Sequence, residues 1–174
     1  MASRLHEAKY IIRCDASPSG LGGILLFRGS PIAWWADDVT DEDLKTLKAT
    51  ISPHWQLEFE LLARLISIKK WQSMLECASL VVHGDATAAL HAARKFSAKG
   101  PIMNLLAGEI GLIVEARSME LQVKHLPGSV NIEADALSRL KEGRSAGIPK
   151  SLSSVLRVQV PRRCSDYYSL LAAE

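Results

Sequence analysis

The stretch KYIIRCDASPSGLGGILLF, at residues 9–27, predicts a β-hairpin. Its first apolar and β-branched run ends at Asp15, its second run begins at Ile24, and the residues between the two runs are turn formers rich in Ser, Pro and Gly. A third strand is predicted at residues 31–35, after the turn that begins at Arg28. The ordered part of the chain is therefore expected to begin with three consecutive strands.

Helices and strands alternate in the rest of the chain. Leucine and isoleucine residues at helical spacing follow Ser52-Pro53 and predict a long helix to about residue 76. Shorter elements are predicted downstream, namely a strand at 79–83, helices at 86–94 and 101–117, a strand at 120–125 and a helix at 131–140. The order β-β-β-α-β-α-α-β-α predicts an α/β fold in which helices pack on a mixed five-stranded sheet.

The composition is that of a soluble globular domain. The 174 residues include 48% hydrophobic and 23% charged residues, and a chain of this length can bury a sizeable core without a disulfide framework. No apolar run reaches the ~18 residues that a membrane span needs, and no secretory signal is visible. The three cysteines do not cluster and fit a reducing compartment, so we expect an intracellular protein without a membrane partner.

The charge divides the chain into two parts. Residues 1–141 carry 16 basic and 16 acidic side chains, whereas residues 142–174 carry five basic and three acidic ones. The second part is also rich in Gly, Ser and Pro and lacks periodicity, which is typical of a linker or docking segment. We therefore predict a catalytic domain at 1–141 and a basic tail or linker at 142–174. The neutral balance of the first part argues against a strong free-standing nucleic-acid binder.

Four acidic residues occupy positions where α/β sheets build their sites. Asp15 and Asp85 each end an apolar strand, Glu60 lies in the first turns of the long helix, and Asp135 lies near the start of the last helix. If the four carboxylates met in one cleft, each pair at about 5 Å would repel by ~3 kcal/mol at an effective dielectric constant near 20. Divalent cations would be required, and an all-carboxylate set suits Mg²⁺ or Mn²⁺ rather than Zn²⁺.

Residues 9–141 resemble a ribonuclease H domain of the kind attached to the reverse transcriptases of retroelements and retroviruses. Four segments carry the resemblance, in the same order as in that family: IIRCDASPSGLGGILL, LEFELLARL, LVVHGDATAAL and VKHLPGSVNIEADALSR. The last segment is the most specific, because a His and a Pro-Gly turn lead into ADALSR. The resemblance implies a ribonuclease H-like fold and hydrolysis of the RNA strand of an RNA:DNA hybrid.

The resemblance also implies roles for individual residues. Asp15, Glu60, Asp85 and Asp135 would bind two Mg²⁺ or Mn²⁺ ions, with Asp15 bridging both. Asp135 would complete the site of the ion that activates water, and Glu60 and Asp85 would complete the other site. His125 precedes Asp135 by ten positions, as a mobile histidine does in the family, and is the candidate for proton transfer or product release.

Contacts to the hybrid are predicted at a few positions. Gln56 precedes the catalytic glutamate, Thr87 follows Asp85, and Arg94 and Lys95 form a small basic cluster that either meets phosphates or is a solvated helix end. The chain lacks the basic helix and loop that help free-standing family members to hold their substrate. We therefore expect weak intrinsic binding, with delivery of the hybrid by the attached or associated polymerase domain or by the tail.

The sequence is also compatible with two alternative functions. A non-catalytic domain could retain the fold as a scaffold, although a scaffold has no reason to keep four mutually repelling acids. A nuclease of the same fold could act on DNA, although the ADALSR segment disfavours it.

Overall fold

A computed structural model describes residues 9–49, 55–85, 87–140 and 147–172, without the side chains of residues 87, 88, 90 and 94. A six-stranded mixed sheet forms its centre. The strands are β1 (Tyr10–Ala16), β2 (Gly20–Phe27), β3 (Ser30–Asp38), β4 (Ser79–Gly84), β5 (Glu120–His125) and β6 (Leu156–Arg157). The helices within these ranges are α1 (Asp41–Leu47), α2 (Gln56–Trp71), α3 (Thr87–Lys95), α4 (Pro101–Ala116), α5 (Ile132–Ser138) and α6 (Ser169–Ala172).

The strand order across the sheet is β5-β4-β1-β2-β3-β6. Strands β1, β2 and β3 are successively antiparallel, whereas β4 runs parallel to β1 and β5 runs parallel to β4. The carboxyl ends of β1, β4 and β5 therefore meet at one edge of the sheet, where open α/β sheets build their sites. The predicted fold class is confirmed, with one difference: the sheet has a sixth strand, the short β6, which pairs with β3.

The main core lies between one face of the sheet and the helices α2 and α4. Cys14, Leu62, Val82 and Ile110 are among the side chains buried there. Burying an aliphatic side chain of this kind contributes roughly 1.5–3 kcal/mol, so this layer holds α2 firmly against β1 and β2. A smaller cluster on the opposite face joins α5 to the sheet and includes Trp34.

The long helix differs from its prediction at its carboxyl end. The segment Ser52-Pro53, where we predict its start, lies outside the described residues. The helix ends at Trp71 rather than near residue 76, because the chain turns after it: the Met74 N–H donates to the Trp71 carbonyl at 3.0 Å, and Cys77 has a positive φ of 56°. No helix in the described ranges is long and apolar enough to cross a membrane.

Helix α1 is absent from the predicted element order. It begins after Thr40, whose hydroxyl accepts a hydrogen bond from the Asp43 backbone N–H, while the Asp43 carboxylate accepts one from the Thr40 backbone N–H. This reciprocal capping box, with three acidic residues in the first turn, stabilises a short helix. Asp41, Glu42 and Asp43, which follow β3 in the sequence, therefore form the first turn of a helix.

The described part of the tail packs on the body of the protein. Leu152 belongs to the smaller apolar cluster beneath α5, and β6 aligns Leu156 and Arg157 with two residues of β3. Further along, Arg163 and Tyr168 are fully buried. Residues 147–172 thus follow the surface of the sheet and its helices rather than leave it, although their composition is typical of a linker. The division of the chain at residue 142 stays a prediction.

Candidate active site

Asp15 and Glu60 lie side by side where β1 meets α2. The Ala16 backbone N–H donates to Glu60 Oε1 at 3.2 Å, and the Gln56 side-chain amide donates to the same oxygen at 3.2 Å and also to the Ala16 carbonyl. Glu60 is only 4% exposed. The first turn of α2 is therefore tied to the end of β1, which places Glu60 against Asp15.

The environment of Asp15 disfavours its charged form. Burial, a hydrogen bond with Glu60, the charge of Glu60 and the charge of Asp135 raise the pKa of Asp15 to about 9, against the weaker lowering effect of the Ala16 backbone N–H. The second carboxylate oxygen of Glu60, Oε2, is buried and has no hydrogen-bond partner among the described residues. Glu60 Oε2 is therefore a buried acceptor that the described residues leave without a hydrogen bond.

Asp85 lies just beyond the end of β4 and is the most exposed of the four acids. Its Oδ1 is 3.4 Å from His125 Nε2, at the end of the neighbouring strand β5. The turn after β5 lies close to the same side chain, since a Cβ on Gly128 would be 3.0 Å from Asp85 Oδ2. The parallel pairing of β4 and β5 thus brings Asp85 and His125 together, and the roles of both residues stay predictions.

Asp135 is presented by α5, on the other face of the sheet from α2. The helix approaches β2 unusually closely: a Cβ on Gly20 would be 1.9 Å from the Ser138 carbonyl oxygen, and one on Gly22 would be 2.6 Å from Leu137 Cβ. Asp135 lies close enough to Asp15 to raise its pKa, and its Oδ1 accepts a hydrogen bond from Arg139 Nε at 3.0 Å. The glycine-rich start of β2 therefore allows α5 to bring Asp135 to the edge.

The four acids surround one edge of the sheet but do not close on a single point. Asp15 interacts with Glu60 and with Asp135, whereas Asp85 lies beside His125. Within the described ranges, no three His, Cys, Asp or Glu side chains are close enough to hold a metal ion as they stand. The side chains of Asp85 and Asp135 are both about half exposed.

The predicted contacts to the hybrid are only partly described. The Gln56 side-chain amide donates to Glu60 Oε1 and to the Ala16 carbonyl, so it holds Glu60 in position beside the end of β1. Lys95 is exposed at the end of α3. The side chains of Thr87 and Arg94 lie outside the described part of the chain. The hybrid contacts at these four residues stay predictions.

Two buried polar residues near the acids make contacts that local sequence patterns do not predict. Asn131 occupies the N-cap position of α5 without a side-chain capping hydrogen bond, and its side-chain amide donates to the Cys14 carbonyl at 3.2 Å, which attaches the start of α5 to β1. Arg64, one turn after Glu60, is fully buried, and its guanidinium lies against Gly84, where a Cβ would be 1.8 Å from Nη2. A charged residue four positions after the candidate Glu60, among leucines, is the signal that could have identified it.

The comparison with solved structures identifies the fold of this chain, whereas the comparisons of its sequence find no match. No protein-family model matches the chain, and no curated protein matches it. Among solved structures, LC11-RNase H1, isolated from compost by a metagenomic approach, matches with a TM-score of 0.60 at 19% identity, over 75% of this chain and 93% of the other. A second structure of LC11-RNase H1, in complex with an RNA/DNA hybrid, matches with a TM-score of 0.56 at 19% identity, over 74% and 93%. RNase H1 from the halophilic archaeon Halobacterium salinarum NRC-1 matches with a TM-score of 0.56 at 16% identity, over 74% and 92%. The chain thus has the ribonuclease H fold.

Proposed function

We propose that this chain is a ribonuclease H, a metal-dependent endonuclease that hydrolyses the RNA strand of an RNA:DNA hybrid. The observation that carries the proposal is that Asp15, Glu60, Asp85 and Asp135 all lie around one edge of a sheet with the ribonuclease H fold. The sequence resemblance, which assigns metal binding to the same four acids, supports the proposal. The solved complex of LC11-RNase H1 with an RNA/DNA hybrid supports the choice of substrate.

The residues at this edge fit a divalent cation. Glu60 Oε2 is a buried acceptor without a partner among the described residues, and burial together with the adjacent carboxylates raises the pKa of Asp15. A bound cation would offset both penalties, because it would bring positive charge to an all-oxygen set of ligands that suits Mg²⁺ or Mn²⁺. Asp15, Glu60, Asp85 and Asp135 would hold two such ions.

The chemistry divides between the ions and the side chains. Bound Mg²⁺ would activate a water molecule and stabilise the charge that develops on the scissile phosphate. Gln56 and the Ala16 backbone N–H hold Glu60 in place, and Asp85 Oδ1 lies 3.4 Å from His125 Nε2. The His125 side chain is about half exposed, and it would carry a proton between the site and solvent. The products would have 3′-hydroxyl and 5′-phosphate ends.

We further propose that the domain is attached to, or associates with, the polymerase domain of a retroelement-type reverse transcriptase. The segment HLPGSVNIEADALSR carries this part of the proposal. The short connection between α3, which ends at Lys95, and α4, which begins at Pro101, supports it, because it leaves no room for a basic substrate-holding helix. The polymerase domain would therefore deliver the hybrid, and contacts to RNA 2′-hydroxyls near Glu60 would select the RNA strand.

A cleavage assay tests the proposed function. The full chain should cut the RNA strand of a labelled RNA:DNA hybrid in the presence of Mg²⁺ or Mn²⁺, and Asp85→Asn should reduce the rate to background without changing the melting temperature by more than a few degrees. Asp166→Asn, at an exposed acid of the tail, is the matched control and should cut at the wild-type rate. Cleavage of duplex DNA in preference to the hybrid would overturn the substrate, and absence of any cleavage would favour a scaffold.

A further inference from the structure

Arg64 lies on helix α2, one turn after Glu60, and is fully buried. Its three guanidinium nitrogens are all buried, and none has a hydrogen-bond partner in the described part of the chain. A buried charge carries a large desolvation cost unless opposite charges or hydrogen bonds nearby offset it. The charge of Arg64 therefore depends on its wider surroundings for compensation.

The guanidinium of Arg64 lies behind two of the candidate acids. A Cβ on Gly84, the last residue of β4, would be 1.8 Å from Nη2 and 2.8 Å from Cζ. Burial raises the pKa of the Cys14 thiol in β1 to about 12, and the charge of Arg64 acts against this rise. Cys14 immediately precedes Asp15, and Gly84 immediately precedes Asp85. The charge thus lies at the level of the sheet that is one residue, or roughly 3.3 Å, before both acids.

Gly84 provides the space that this placement needs. A side chain at position 84 would overlap the guanidinium and would displace it from the end of β4. The chain therefore accommodates Arg64 through a specific glycine and not through a loose cavity.

Glu60 shares its face of α2 with Arg64. Residues four apart on a helix are neighbours, with Cβ atoms about 5–6 Å apart. Glu60 Oε1 accepts hydrogen bonds from the Ala16 backbone N–H and from Gln56, whereas Oε2 is buried and has no partner among the described residues. One turn of α2 thus carries a buried negative group and a buried positive group at the inner wall of the candidate site.

A fixed positive charge at this position acts in the same sense as a bound cation. It attracts the carboxylates and so offsets part of their mutual repulsion when no metal is bound. It also repels any divalent ion that binds to the same carboxylates, and in a buried setting this repulsion is only weakly screened. Both effects follow from the charge and not from a hydrogen bond of Arg64.

We infer that Arg64 is a positioning residue that holds the candidate acids together in the metal-free protein and lowers their affinity for divalent cations. The inference rests on the proposed function, since it concerns the same metal site. Arg64 acts through the carboxylates and does not touch the substrate. The chain should therefore need a higher Mg²⁺ concentration for half-maximal cleavage than the same site with a neutral residue at position 64.

Mn²⁺ binding by the full chain tests this role without cleavage. Electron paramagnetic resonance measures free Mn²⁺, because the signal of the aqueous ion broadens on binding, and so gives the dissociation constant. Arg64→Met removes the charge but keeps a long side chain, and it should tighten Mn²⁺ binding about tenfold, or about 1.4 kcal/mol. Arg28→Met is the matched control, since it removes an exposed arginine beside Lys9, at the opposite end of β1 from the acids. Equal affinities of Arg64→Met and the control would overturn the inference.

Two further variants separate the charge of Arg64 from its packing. Arg64→Lys keeps the positive charge and should bind Mn²⁺ within about threefold of the wild type, whereas Arg64→Gln should bind as tightly as Arg64→Met. If the neutral variants unfold in EDTA but fold with Mn²⁺, the inference is supported, because the ion then replaces the lost charge. If they are unfolded under both conditions, or if Arg64→Lys binds as tightly as Arg64→Met, the packing of Arg64 matters and its charge does not, and the inference fails.

Failure of this inference and failure of the proposed function give different results. If the wild type binds Mn²⁺ and cleaves the hybrid but Arg64→Met has the same affinity, the inference is wrong and the function remains. If Arg64→Met binds Mn²⁺ more tightly but neither protein cleaves the hybrid, the function is wrong and the role of Arg64 remains. A wild type that binds neither Mn²⁺ nor Mg²⁺ overturns both.

Discussion

Arg163 and Asp43, 120 residues apart in the sequence, form a fully buried ion pair. Arg163 Nε donates to Asp43 Oδ1 at 2.8 Å, and Nη2 donates to Oδ2 at 2.7 Å, while both side chains are 0% exposed. The same guanidinium donates to Asp37 and to the Asp38 carbonyl. This contact attaches the tail to the start of α1 and the end of β3. It also compensates the negative charges of Asp37 and Asp43.

Arg163→Met should lower the free energy of unfolding by about 3–5 kcal/mol, because removal of one partner leaves the Asp43 carboxylate buried without its counter-charge. Urea unfolding followed by circular dichroism measures this change. Arg162→Met alters the exposed neighbouring residue and should change the free energy of unfolding by less than about 0.5 kcal/mol. Equal stability of the two variants would show that the tail does not stabilise the fold.

Asp15 should make the stability of the metal-free protein depend on pH. Its pKa is 3.8 when unfolded and about 9 when folded, so the folded state binds the proton more tightly. The stability that this proton provides is fully present below pH 3.8 and is lost as the pH rises to about 9, by at most ~1.4 kcal/mol per pH unit. Asp15→Asn should therefore gain in melting temperature relative to wild type between pH 4 and pH 9 in EDTA. A difference that does not vary with pH would contradict this assignment.

Mg²⁺ should stabilise the folded protein, because ions that bind only the folded state raise the free energy of unfolding. The expected gain is about 2.7 kcal/mol at a concentration 100 times the dissociation constant, and a melting-temperature titration measures it. Asp15→Asn and Glu60→Gln should lose most of this gain. Glu115→Gln, at an exposed acid of α4, should keep it. A wild type whose melting temperature does not respond to Mg²⁺ or Mn²⁺ would rule out the metal site.

Gly20→Ala should displace α5 and with it Asp135. The added Cβ would be 1.9 Å from the Ser138 carbonyl oxygen, which is backbone and cannot rotate away. We expect a loss of roughly 1–3 kcal/mol in the free energy of unfolding together with a lower cleavage rate at full Mg²⁺. Gly100→Ala is the control, since its Cβ would meet nothing closer than 4.0 Å. Wild-type cleavage by Gly20→Ala would show that the close approach of α5 is not needed for the site.

His125→Ala should lower kcat for hybrid cleavage with little change in KM. The imidazole lies beside Asp85 and would move a proton or assist product release, and such groups contribute roughly 10²-fold or more to the rate. Steady-state kinetics with Mg²⁺ separates the two parameters. A rise in KM at constant kcat would instead assign His125 to substrate binding.

Local patterns in the sequence are enough to predict the fold class and the candidate acids. Apolar runs that end at Asp15 and at Asp85 predict strands because the alternation is local, and the carboxyl ends of such strands are where sites form. The Thr40-to-Asp43 capping box is also local and could have predicted α1. The resemblance of four segments to ribonuclease H domains then supplies the expected roles.

Contacts between distant segments are decided by the tertiary structure alone. An arginine is usually exposed, so nothing near Arg163 in the sequence indicates that it is buried against Asp43. The position of Arg64 against Gly84 depends on how α2 packs on the sheet, which the chain specifies only when the sheet forms. The sequence by itself therefore determined most of the helices and strands and the acids at their ends, because periodicity and capping act within a few residues. Only the folded sheet decided which charges meet, because long-range pairing depends on topology and burial.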